Sequence, residues 1–245
     1  MKIFKKLENF QKKCYNAFME YAEVISELER LADEKYKAFN DRLLRTRKKT
    51  YGVRTPDLRA LGKRIKREYP TFAEEAFARG ELSHEEVLLV GMQLGKDVET
   101  NIGLLKRLFA IADSWAQTDQ IVGRFGWIKD KRELMRRFGY LKSGGEFEKR
   151  AYLIMLMTNC VTEEYLPLAE DGLRSVPFGE YYTDMAAAWL ICEVCVKMYD
   201  NGLRLLSLPE LTPFVRLKAA SKCRDSFRLS KEQKDEITRT ARRLV

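Results

Sequence analysis

Asp119 follows Trp115 by four residues in Ser114-Trp115-Ala116-Gln117-Thr118-Asp119, a spacing that projects an indole and a carboxylate from one face of a helix. Further along, Arg150 stands between Phe147 and Ile154, which puts a guanidinium on the apolar side of its helix. Trp189 follows Met185 by four in the run Met-Ala-Ala-Ala-Trp, where the alanines allow another helix or a ligand to come close. A carboxylate and aromatic faces together can steady a positive charge, whether it belongs to a ligand or develops during bond cleavage. Taken singly, each residue also has a structural reading. A tryptophan on an apolar stripe belongs as a rule to the core, and an acid at i+4 is as a rule solvated.

The elements that must position these residues read as helices throughout. Thr55-Pro56-Asp57 has the form of a helix start, with Thr55 as N-cap, proline in the first turn and an acid beside it. Other starts are marked by Ser83 with Glu86, Ser114 with Gln117, and Thr162 with Glu163 and Glu164. Pro167 reads as part of a kinked or short helix. The outcome is about twelve short helices with brief loops and no credible run of strands. Trp115, Arg150 and Trp189 are separated by 35 and 39 residues, near the ~40-residue period of HEAT-type repeats. Residues one repeat apart occupy equivalent helices, so Lys218 and Lys222 fall on the next helix of the series. The expected fold is therefore all-α: a right-handed α-solenoid of HEAT-like helix pairs, curved, with a concave basic surface. A single domain over 1–245 is expected, with residues 1–30 as a helical extension that caps the open end and repeats over 31–245.

Charge is distributed very unevenly. Arg42 to Arg67 holds eleven basic residues against one acid, Asp57, while the whole chain of 245 residues carries a net charge of only +9. Such clustering suits a polyanion, because Lys and Arg release condensed counterions from phosphates. A solvated charged face is the plainer alternative. Leu58, Leu61 and Ile65 lie on one face of the Thr55 helix, and Arg59, Lys63 and Lys66 on another. The Thr55 helix start also offers free N–H groups to a phosphate.

Other classes are excluded by composition. No apolar run reaches the ~18 residues that span a membrane, and the amino terminus lacks the apolar stretch of a signal peptide. A cytoplasmic protein is expected. Five widely spread cysteines do not make a disulfide framework. Cys192 and Cys195 form a C-x-x-C, but only Cys14, Cys160, Cys223 and His84 remain as further zinc ligands, and no βαβ context supports a redox motif. The pair reads as small buried helix residues. No metal and no cofactor are expected.

Four segments together resemble the AlkD-like DNA alkylation repair family, whose members are HEAT-like repeat DNA glycosylases. They are Tyr51 to Leu61 (YGVRTPDLRAL), Ser114 to Asp119, Phe147 to Ala151 (FEKRA) and Tyr181 to Trp189. They occur in the family's order and spacing from about residue 33 onward, and Lys218 to Ser230 looks like that family's ending. The resemblance implies removal of cationic N3- or N7-alkylated purines from double-stranded DNA, without extruding the base as most glycosylases do. It implies that Trp115 and Trp189 contact the damaged nucleotide, that Asp119 is the catalytic carboxylate and that Arg150 holds backbone phosphate. Arg54, Thr55, Arg59, Lys63, Arg64, Lys66, Lys218 and Lys222 complete the expected DNA contacts of a monomer. One departure stands out: the family's glycosylases carry an arginine three residues after the second tryptophan, where this chain has Cys192. A catalytically weak or inactive DNA-binding paralogue, and a helical-repeat scaffold for proteins, are the alternative readings.

Overall fold

The computed structural model describes residues 19–123, 125 and 128–245. Among these residues there are fourteen α-helices and one 3-10 turn, and the sole β feature is the bridge between Ala32 and Val53. The chain is all-α, as its periodicity predicts. The first eighteen residues, with Cys14 and most of the expected N-terminal cap, lie outside the described residues. The chain divides into two compact units, one ending at Leu108 and the other running from Phe109 to Val245.

In the first unit, α1 (Tyr21–Arg30), α2 (Glu34–Leu44), α3 (Thr55–Glu68), α4 (Phe72–Arg79) and α5 (His84–Gly91) surround a core of Val24, Leu28, Leu58, Ile65, Phe72 and Ala76. The segment leading into α3 is fixed by one buried carboxylate. Glu85 accepts the backbone N–H groups of Tyr51 (3.0 Å), Gly52 (2.8 Å) and Val53 (3.3 Å). Gly52 has φ +78, and a Cβ there would meet the Lys37 Cβ at 2.4 Å, so the turn tolerates only glycine. Ser83 and Glu86 form the predicted capping box at the start of α5. Thr55, by contrast, is not the N-cap. The ladder begins one residue earlier, with Leu58 N–H bonded to the Arg54 carbonyl, so Arg54 takes that place and Pro56 stays in the first turn. The chain continues through α6 (Val98–Ile111).

The second unit contains α7 (Trp115–Val122), α8 (Lys131–Arg137), the 3-10 turn Gly139–Ser143, α9 (Glu146–Asn159), α10 (Leu166–Ser175), α11 (Tyr181–Lys197), α12 (Tyr199–Leu206), α13 (Pro213–Asp225) and α14 (Lys231–Arg243). Helix α7 packs on α9, α9 on α11 and α11 on α13, while α9, α11 and α13 each pair with the helix that follows. This is the layering of HEAT-like pairs, an α-solenoid arrangement. Side-chain bonds across it repeat the same step: Asp119–Arg150, Glu146–Tyr182, Glu170–Arg204 and Glu193–Arg228 span 31, 36, 34 and 35 residues. The buried run Ala186-Ala187-Ala188 lets neighbours approach α11. Gly202 permits the closest approach of α12, since a Cβ there would lie 2.5 Å from the Cys195 Cα.

Two helix starts of the second unit also differ from expectation. Thr162 opens only a turn, and α10 begins at Leu166 with Pro167 in its first turn, where a missing N–H costs nothing. Ser114 is the N-cap of α7 by position, but its side chain caps nothing and its Oγ is buried without a partner. Gln117 reaches past it, its Oε1 accepting the Asp113 N–H at 2.9 Å.

Candidate active site

Asp119 sits in the last turns of α7, facing α9. Arg150 Nε donates to its Oδ1 at 2.9 Å and Arg150 Nη2 to its Oδ2 at 2.7 Å, a two-point fork. The third guanidinium nitrogen, Nη1, donates to the Tyr182 carbonyl of α11 at 3.0 Å. The pair is well shielded, with 7% of the arginine side chain and 16% of the aspartate side chain exposed. Thr118 Oγ1 lies 3.2 Å from the same Oδ1 and donates to the Trp115 carbonyl at 2.9 Å. An ion pair this desolvated stands because both charges are matched and further bonds satisfy the arginine. Arg150, expected on phosphate, thus has its guanidinium engaged within the protein.

The start of α11 is tied to α9 by further bonds. Glu146 Oε1 accepts the Tyr182 N–H at 2.6 Å, its carbonyl accepts Thr183 Oγ1 at 3.1 Å, and Lys149 pairs with Glu180. These hold the Tyr182 carbonyl where Arg150 needs it. Around this junction the rings of Phe147, Tyr182, Tyr181 and Phe214 follow one another at 5.1, 5.1 and 6.0 Å, with Lys218 Nζ 5.5 Å from the Phe214 ring.

Two turns along α11, Trp189 is 39% exposed, large for an indole in a packed helix. Lys222 of α13 lies over it, Nζ 5.2 Å from the ring centroid. The matching offsets, Tyr181 beside Phe214 and Trp189 beside Lys222, show α11 and α13 running side by side in one direction. Burial lowers the Lys222 pKa, the field of Arg150 adds to the effect, and Cys192, Asp225 and Asp119 oppose it. Those influences place Lys222 in the electrostatic neighbourhood of the Asp119–Arg150 pair. Cys192 is buried and hydrogen-bonded to Cys223, a contact that pushes its thiol pKa far up together with burial. Where the family's arginine is expected there is a neutral thiol, and the nearby cation is Lys222. Trp189, Cys192, Lys222, Asp225, Ser226, Phe227 and Arg228 line an open cleft of about 460 Å³.

Of the residues named from sequence, Trp115 and Asp119 on α7, Arg150 on α9, Trp189 on α11, and Lys218 and Lys222 on α13 thus stand on alternate helices, each packed on the next of the set. The others belong to the first unit. Arg54 pairs with Asp33 at 2.8 Å, Arg64 with Glu68 at 2.8 Å, and Lys66 donates to the Leu94 carbonyl. Thr55 is half-buried, and Arg59 and Lys63 are exposed. Part of the basic excess is therefore balanced locally by acids outside the run, while Arg59 and Lys63 form no ion pair among the described residues.

Sequence reading missed Phe227 and the Glu193–Arg228 pair. The repeat step could have found the pair, because Arg228 follows Glu193 by 35 residues. Among the described residues no group of three or more His, Cys, Asp or Glu is placed to hold a metal ion, and no helix is long and apolar enough to cross a membrane.

Fold and site define a helical-repeat protein with an arginine-held carboxylate on α7 and an exposed indole on α11, the two helices that flank α9 in one layer. The family model for DNA alkylation repair enzymes matches residues 24–193, and the chain belongs to that family. That span includes Trp115, Asp119, Arg150 and Trp189 and ends one residue after Cys192; Lys222 and Phe227 lie beyond it. No curated protein matches the chain.

Proposed function

We propose that this protein is a DNA glycosylase that hydrolyses the N-glycosidic bond of N3- or N7-alkylated purines in duplex DNA. The observation that carries the reading is Asp119, a carboxylate fixed at both oxygens by Arg150 yet still partly open to solvent. An alkylated purine is already cationic. As its bond to C1′ breaks, the electron pair neutralises the base, and no strong general acid is needed. Positive charge then develops on the sugar. A preorganised carboxylate steadies that charge and orients the water whose oxygen attacks C1′. Indole faces add cation–π attraction on the order of 0.5–2 kcal/mol each. Arg150 acts through Asp119, as a positioning residue.

The experiment is release of 7-methylguanine or 3-methyladenine from methylated duplex DNA. Release is expected from the native protein and not from Asp119→Asn. A second reading, a DNA-binding paralogue without excision, is favoured by the neutral Cys192 and by the engagement of both Asp119 oxygens. Salt-sensitive duplex binding without release would select it.

A further inference from the structure

Phe227 is the most exposed large apolar residue described, at 102% of its reference area. Its neighbours in the turn between α13 and α14 are Ser226 and Arg228, and nothing in the packing requires an aromatic ring there. The turn that presents it is nevertheless firmly tied down. Ser226 N–H donates to the Cys223 carbonyl at 3.2 Å, and Arg228 N–H to Ser226 Oγ at 3.2 Å. The Arg228 side chain forks onto Glu193 of α11 at 3.2 and 2.8 Å. Leu229 is buried immediately beyond, and Ser230 caps α14 in a capping box with Gln233. A single exposed ring needs no explanation by itself; what sets Phe227 apart is that it lines a cleft together with Trp189 and Lys222.

The cleft beneath it indicates the partner's chemistry. Trp189, exposed, and Lys222, half-buried over the indole, line it together with Asp225 and with Arg228, which Glu193 holds; among the described residues Lys222 forms no hydrogen bond or ion pair. An ammonium in that position calls for an anion, and two aromatic side chains call for flat rings. A nucleic-acid strand supplies both at a spacing of one nucleotide. The cleft's volume of about 460 Å³ also falls within the range of ligand sites.

We propose that Phe227 is a stacking wedge, which enters the base stack beside the nucleotide whose phosphate rests on Lys222. The proposal rests on the DNA-repair reading above. Apolar wedges of this kind unstack a base step and bend the duplex around the protein. The wedge loosens the step next to the lesion, and Trp189 and Asp119 act on a nucleotide whose base stays within the duplex.

The test uses the full chain and a duplex with 2-aminopurine beside a tetrahydrofuran abasic site. Native protein should bind it and change the 2-aminopurine emission. Phe227→Ala should bind about tenfold more weakly, with the emission change lost and the salt slope unaltered. Phe227→Trp should restore both. Because the side chain is fully exposed, the alanine variant should melt no lower than the native protein. Native binding with an unchanged affinity and emission in Phe227→Ala would overturn the wedge and leave the DNA reading standing. Failure of native protein to bind any duplex at low salt would remove both. Loss of a dimer in Phe227→Ala with DNA binding intact would assign the ring to a second copy of the chain, against the proposal.

Discussion

Arg150 grips both oxygens of Asp119, from a helix 31 residues further along, while its remaining nitrogen holds the Tyr182 carbonyl. The arginine thus joins three alternate helices that pack in one layer, α7, α9 and α11, at one point. A carboxylate pinned this way cannot rotate freely, so under the proposed excision the same bond would serve both stability and catalysis. The two roles separate by experiment.

Arg150→Met leaves a shielded aspartate without its counter-charge and removes the donor to Tyr182. It should cost about 3–5 kcal/mol of unfolding free energy in urea titration. Adding Asp119→Asn removes the stranded charge, so the double variant should be more stable than the sum of the single losses. Arg150→Lys retains the charge without the fork, and should keep the fold while slowing excision more than it raises KM. Strict additivity in the cycle would show that the pair is not coupled.

Lys222 gives a pH signature. Burial lowers its pKa below the ordinary 10.5, so its proton is lost at a lower pH than that of an exposed lysine. If it grips phosphate, duplex affinity should fall on the alkaline side before other lysines titrate, and Lys222→Arg should abolish that early fall. Stability has the opposite sign. The unfolded chain holds this proton more tightly, so Lys222 penalises the folded state below its folded pKa, and the penalty is relieved as pH rises towards 10.5. Lys222→Met should be at least as stable as native protein at neutral pH, yet bind DNA more weakly with a salt slope smaller by about 0.9.

Local features were legible in the sequence, and long-range pairings were not. The Ser83–Glu86 box is found where it was read, because both partners lie within one turn. Ser114 and Gln117 marked the right start, yet the glutamine caps Asp113, since the choice between adjacent N–H donors depends on loop geometry. Periodicity near 40 residues placed Trp115, Arg150, Trp189 and Lys222 on alternate helices, each packed on the next of the set. It could not show that Arg150 turns inward to Asp119, because one side chain on an apolar stripe can face either a phosphate or a neighbouring helix. Phe227 was invisible for a related reason: an aromatic between polar residues gives no sign of which way its turn will point.

The basic cluster splits into cations held by a neighbouring group and cations that are not. Arg59 and Lys63 are exposed on α3 and lack ion pairs among the described residues, whereas Arg64 is held by Glu68 and Lys66 by the Leu94 carbonyl. Arg59→Ala with Lys63→Ala should lower the slope of log K against log salt by roughly 2 if each meets a phosphate. Stability should move by no more than about 0.5 kcal/mol. Unchanged salt dependence would mean that this face of α3 is merely solvated.

Glu85 tests whether the lead-in to α3 depends on one carboxylate. It is buried to 2% exposure and receives three consecutive backbone N–H groups, from Tyr51, Gly52 and Val53. Glu85→Ala leaves those donors without acceptors in a space too small for the chain to rearrange freely, and each orphaned group costs about 1–3 kcal/mol. A loss of at least 3 kcal/mol is therefore expected in denaturant unfolding. Glu85→Gln keeps one acceptor oxygen but turns an amide donor toward the same N–H groups, so it should recover only part of that loss. Hydrogen exchange at Tyr51, Gly52 and Val53 should accelerate in the alanine variant before exchange in the α3 core does. If those three amides stay protected, the segment is held by its own turn geometry, and Glu85 is not its anchor.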